Sequence, residues 1–250
     1  MRRMFDGAAN DDLALVSVVL EGTRSVEDIR RIMAQAKEAT RKRIAACRAG
    51  SARWNGLCMA GWHEIDAISP DQFQFLPPRR HKLLGQLAPV DWDQPGPTWL
   101  PTYHGICFLG GLAIQEVAEK FRRQWPVIGQ VDIRPFDPAK PVEENIDDVT
   151  RYANKFTCET NLSADVIGGK IVEPWPVEWQ AEFFTWLQHA QRNPFEFLRF
   201  SVNPKANDLL EAPPERYEVR SMSVEPMPFT HSSSGLSTYD YTGGLIGQFR

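Results

Sequence analysis

Four long apolar runs, set between segments of helical period, constrain this chain more than any other feature. The first, 11–21 (DDLALVSVVLE), carries Val, Leu and Ala almost unbroken and stops at Gly22, the pattern of a buried strand. Comparable runs follow at 54–68 (WNGLCMAGWHEIDAI), 100–109 (LPTYHGICFL) and 127–136 (VIGQVDIRPF). Between the first two, Ser25 with Asp28 three residues on has the form of a capping box. Ile29, Ile32, Met33, Ala36, Ile44 and Cys47 then predict one long amphipathic helix ending at Gly50. Gly110 and Gly111 turn the chain into a second helix over 112–124, with Leu112, Val117 and Phe121 on its apolar side. A third helix is expected over 142–156, with the stripe Ile146, Val149, Tyr152 and Phe156. Another is expected over 176–192, with Trp179, Phe183, Trp186 and Leu187 together. Pro70, Pro77, Pro78, Pro89, Pro95 and Pro97 make 69–98 a long loop with one helical turn at 80–87, and long loops inside a domain are usually functional or mobile.

Strands interleaved with helices in this order predict an α+β fold: a mostly antiparallel central sheet covered by helices. After Val202 the chain changes character. Residues 203–250 combine prolines with the Ser-rich HSSSGLSTYDYTGG and hold no period. The expected organisation is one domain over 1–202 and an extended or disordered tail over 203–250, an arm suited to a protein partner.

Hydrophobic residues make up 42% of the chain and charged residues 24%, enough to build a core. A net charge of −4 excludes the whole-chain basic footprint of a nucleic-acid coat protein. It leaves room for a local basic groove: Arg41, Lys42, Arg43, Arg48 and Arg53, then Arg79, Arg80, His81 and Lys82, each run reading equally well as a solvated face. Cys47, Cys58, Cys107 and Cys158 form no CxxC pair and have no zinc-site spacing. No apolar run suits a signal peptide or a membrane span, so the expectation is a cytoplasmic protein with reduced thiols and no membrane partner. Neither GxxxxGK[ST] nor GxGxxG occurs.

Three segments carry the candidate chemistry: GWHEID at 61–66, PTYHGICFL at 101–109 and RYANKF at 151–156. Alternation along a strand puts Trp62, Glu64 and Asp66 on one face and His63 on the other, and places Thr102 with His104. Each residue also has a plain reading. His104 suits a buried core histidine, Tyr152 a packing residue on its helix stripe, and Glu64 a rim carboxylate.

Taken together and in order, the segments resemble the HUH-endonuclease initiators of rolling-circle plasmid and phage replication. Val16–Leu20 (VSVVL) stands for that family's first strand motif, with Ser17 in place of a Thr. Gly61–Glu64 matches G-x-x-E, Thr102–His104 takes the His-x-His slots, and Tyr152–Lys155 matches Tyr-x-x-Lys. VDIRPF is similar to the strand before the tyrosine helix. The chain departs from the pattern at Thr102, where the family has a histidine.

The resemblance covers residues 11–160 and implies nicking and strand transfer on single-stranded DNA or a hairpin at a replication origin. It assigns Tyr152 as nucleophile, Lys155 as the assisting cation, and His104 with Glu64 as ligands of Mg²⁺ or Mn²⁺, completed by water or Thr102. Two other expectations stand beside it. One is a catalytically eroded DNA-binding protein on the same fold, and the other a partner-binding protein of a mobile element.

Overall fold

A computed structural model of the chain describes residues 2–153, 158–164, 169–190 and 193–204. These lie in one compact unit, Met1–Leu209. The tail expected over 203–250 falls almost wholly outside the described residues.

The elements run in the predicted order. Strand β1 (Leu13–Val19) leads through α1 (Asp28–Gly50) to β2 (Cys58–Ile68), then α2 (Pro70–Gln74) and α3 (Pro78–Leu87). Strand β3 (Thr98–Phe108), α4 (Ile114–Gln124), β4 (Val131–Pro135) and α5 (Val142–Ala153) follow. A hairpin of β5 (Glu159–Ala164) and β6 (Gly169–Pro174), α6 (Val177–Ala190), α7 (Pro194–Leu198) and β7 (Arg199–Val202) complete it. The main sheet has the order β4-β1-β3-β2-β7, with every neighbouring pair antiparallel. Strand β3 is therefore inserted between β1 and β2, and β1 between β3 and β4. These are two interlocked split βαβ units, with β7 added at one edge.

The 69–98 segment is more ordered than its prolines suggested. Pro70 and Pro78 each take the first helical position, where the missing N–H costs nothing and the fixed φ favours the turn. Ser69 caps α2 by accepting from the Gln72 amide at 3.0 Å, and the Gln72 side chain accepts from the Ser69 amide at 2.9 Å.

Both crossover helices cover one face of the sheet. Helix α1 buries Ile29, Ile32, Met33 and Ile44, and α4 buries Val117, Ala118 and Phe121, against Val16, Val18, Met59, Tyr103 and Cys107. Each such side chain contributes about 1.5–3 kcal/mol on burial. Trp99, fully buried, anchors the same core edge-on to Trp175 at 5.6 Å.

The opposite face carries two small apolar cores, one at each end. At one end α5 lays Ile146 and Val149 over Leu13, Cys58, Ala60 and Ile106. At the other, α2 and α3 lay Phe73 and Leu84 over Ile68 and Leu100. Between these two small cores the face is polar.

Gly61 pairs with Gly105 across β2 and β3. A Cβ on Gly61 would lie 2.1 Å from the His104 carbonyl oxygen, a backbone atom that cannot swing aside. Gly61→Ala is expected to cost on the order of 3 kcal/mol, read as a lower urea midpoint at unchanged m-value. A loss below about 1 kcal/mol would mean that the ladder opens there with little strain.

Candidate functional site

The polar band across the open face is set by strand register. Ser17 lies opposite His104 on one side and Asp132 on the other, while Trp62 lies opposite His104 and Glu64 opposite Thr102. Ser17, His104, Thr102, Glu64, Asp66, Asp132 and Arg134 thus share one face, contributed by β1, β2, β3 and the edge strand β4. The expected alternation holds: His63 points to the helix-covered side.

His104 is the centre of the band. Its ring is buried, with Nδ1 2.9 Å from Ser17 Oγ and Nε2 3.1 Å from Glu64 Oε2. Glu64 retains 21% side-chain exposure, so the pair opens to solvent on the glutamate side. The contact is close but its angles do not make a hydrogen bond, and Glu64 Oε2 is a buried acceptor with no hydrogen-bond partner. Such an atom is costly unless a cation or donor meets it. Two residues along, the Asp66 carboxyl is pushed well above the ordinary carboxylate range, chiefly by burial and next by the Glu64 charge, against the pull of Arg80.

His63 shows the contrast. Its Nδ1–H donates to the Leu198 carbonyl at 3.0 Å, and burial pushes its pKa down to about 3. The unfolded chain binds this proton near pH 6.5 and the folded one only near 3. The contribution of neutral His63 is therefore complete above about 6.5 and is lost as pH falls toward 3, with a slope of at most about 1.4 kcal/mol per pH unit. Asp66 acts with the opposite sign in acid, so the expected result is a difference. Between pH 6 and 4, wild type loses more stability than His63→Phe in urea titrations. Equal slopes would show that His63 stays protonated inside the fold.

Of the expected site residues, His104 and Glu64 are brought together. Thr102 is 2% exposed and directly opposite Glu64. The backbone of Tyr152 lies in the last turn of α5, the helix whose Ile146–Val149 stripe covers this same face. Lys155 lies outside the described residues.

Residues Ser17 and His104 are 87 apart in the chain, and only their register reveals the hydrogen bond. Asp132 and Arg134 were not singled out from the sequence; strand alternation in VDIRPF puts them on one face but does not reveal their ion pair. Arg134 Nε lies 2.7 Å from Asp132 Oδ2.

The two donors, one imidazole nitrogen and one carboxylate oxygen, are fewer than a hard divalent cation ordinarily takes from a protein, so such an ion would keep several waters. An octahedral shell with bonds of about 2.1 Å has edges of about 3.0 Å, close to the observed separation. Among the described residues, no group of three or more His, Cys, Asp or Glu side chains is placed to hold a metal ion. Any further ligands would be Thr102 or water. No helix among the described residues is long and apolar enough to cross a membrane. Comparison with known protein families, with curated proteins and with solved structures finds no match.

Proposed function

We propose that the chain nicks single-stranded DNA at a replication origin and transfers the strand through a tyrosine, in the manner of HUH endonucleases. The observation that carries this reading is the convergence of His104 and Glu64, 3.1 Å apart, on the open face over which the Tyr152 helix packs. The split βαβ sheet adds support, because RRM-type proteins lay single strands on a sheet face.

A divalent ion bound by His104 Nε2 and Glu64 Oε2 would polarise a phosphodiester and offset the charge that builds on its oxygens. Ser17 orients the imidazole by occupying Nδ1 and leaving Nε2 toward Glu64. The Tyr152 phenol oxygen attacks phosphorus, the bond to the 3′-oxygen breaks, and that oxygen leaves as a 3′-hydroxyl after taking a proton. Lys155 supports the phenolate, whose ordinary pKa near 10 makes it scarce at neutral pH.

The test is incubation of the full chain with a library of single-stranded hairpins and Mn²⁺, scored for cleaved ends. The expected result is metal-dependent cleavage of a subset of sequences. Thr102, in a slot where a second imidazole belongs, favours one alternative: a DNA- or partner-binding protein on the same fold without catalysis. Tight hairpin binding with no cleavage at any metal concentration would select it.

A further inference from the structure

We propose that His81 on α3 is a stacking platform for an unpaired base, and that its ligand is a single-stranded nucleic acid. The platform stands on the geometry of α2, α3 and the 91–96 segment. Only the direction of that strand toward His104 and Glu64 rests on the nicking reading.

Three rings and a guanidinium form one column. Phe73 and Trp92 stack with ring centroids 3.8 Å apart and 6° between planes, and Phe73 and His81 stack at 4.1 Å and 29°. Two near-parallel rings this close to Phe73 cannot share one of its faces, so Phe73 lies between them. At the Trp92 end the Arg24 guanidinium lies 5.9 Å from the ring centroid. Arg24 itself donates to the carbonyls of Gly96 and Asp91, each at 2.6 Å, and of Gln94 at 3.1 Å. Phe73 is buried, whereas His81 is exposed. The column is therefore fixed at one end and presents the outer face of an imidazole at the other.

Gly85 keeps that face accessible. It lies one turn beyond His81 inside α3, where a glycine weakens a helix relative to alanine. A Cβ built there meets nothing within 4 Å, so no packing neighbour excludes a side chain. A side chain at 85 would lean back toward the N-terminus, over the turn that holds His81. Charge then selects the ligand. No acidic residue stands between Asp71 and Asp91, while Arg79, Arg80 and Lys82 fall there in a chain of net charge −4. A ring that offers one face among cations suits a base on a phosphate backbone. Helices α2 and α3 pack over Ile68 and Leu100, on the face that carries Glu64 and His104. From Glu64 to Ile68 along β2 is about 13 Å, so a short strand spans both places.

The experiment uses the full chain as wild type, His81→Ala, His81→Phe and Gly85→Gln, each checked for its melting transition. The probes are an oligothymidylate and an abasic phosphodiester strand of equal length. Fluorescence anisotropy reads affinity, and the NMR signals of the histidine rings read contact.

His81→Ala is expected to bind oligothymidylate about tenfold more weakly, the size of one base stack, with affinity for the abasic strand unchanged. His81→Phe keeps the affinity of wild type, because it keeps a flat ring at the end of the column. Gly85→Gln melts higher, yet loses several-fold in oligothymidylate affinity. The His81 ring protons shift upfield with oligothymidylate and stay in place with the abasic strand. A strand bound through His81 but never cut leaves the platform standing and removes the nicking reading. Failure of wild type to bind oligothymidylate, or a folded His81→Ala that binds it equally well or weakens equally on both strands, would overturn the proposal. Wild-type affinity in Gly85→Gln would do the same, and that variant leaves the column itself untouched.

Discussion

Tyr152→Phe is expected to abolish the denaturant-resistant adduct between the chain and single-stranded DNA, while leaving fold and DNA affinity nearly unchanged. Phe keeps the aromatic ring and removes only the oxygen that would bond to phosphorus. Losing a covalent nucleophile removes the step it carries, so a fall of at least about a thousandfold in adduct yield is expected. Gel shift under denaturing conditions reads the adduct, and fluorescence anisotropy reads binding. An adduct that survives in Tyr152→Phe would assign the nucleophile to a different residue.

Glu64→Gln and His104→Ala are expected to give the second largest effect. Under the proposed function each removes one of the two protein ligands of the ion. Mn²⁺ affinity should fall by at least about 100-fold, since even residues behind a metal ligand are worth about 10–100-fold. Cleavage should fall most at low metal and recover in part at high metal. Titration calorimetry with Mn²⁺ separates the two substitutions from Thr102→Ala, for which a smaller loss is expected. The converse change, Thr102→His, would supply the missing imidazole directly opposite Glu64. Equal Mn²⁺ affinity in wild type and Glu64→Gln would remove metal chemistry from this face.

Much of the sheet was legible because strand period is a local property. Alternation alone put Glu64 and Asp66 on one face and His63 on the other, and the register of β2 with β3 then places Glu64 opposite Thr102. The helix at Pro70 was not legible, and of the one at Pro78 only the turn at 80–87 was, because a proline that breaks a helix and one that starts it look alike in sequence. Strand β7 (RFSV) is four residues long, and pairing with β2 rather than any pattern of its own makes it a strand. The hydrogen bond from Ser17 to His104 and the clasp of Arg134 by Asp132 depend on register and side-chain direction. Neither can be read from the residue types in Val16–Leu20 or Val131–Phe136.

Under the proposed function, this face cleaves DNA through Tyr152 with the help of His104, Glu64 and a divalent ion. Mass spectrometry of the wild-type chain, digested after incubation with single-stranded hairpins and Mn²⁺, tests it most directly. A nucleotide mass is expected on the peptide that contains Tyr152, present with Mn²⁺ and absent when the metal is chelated. Hairpins bound tightly and left uncut, or a nucleotide mass on any other peptide, would contradict it.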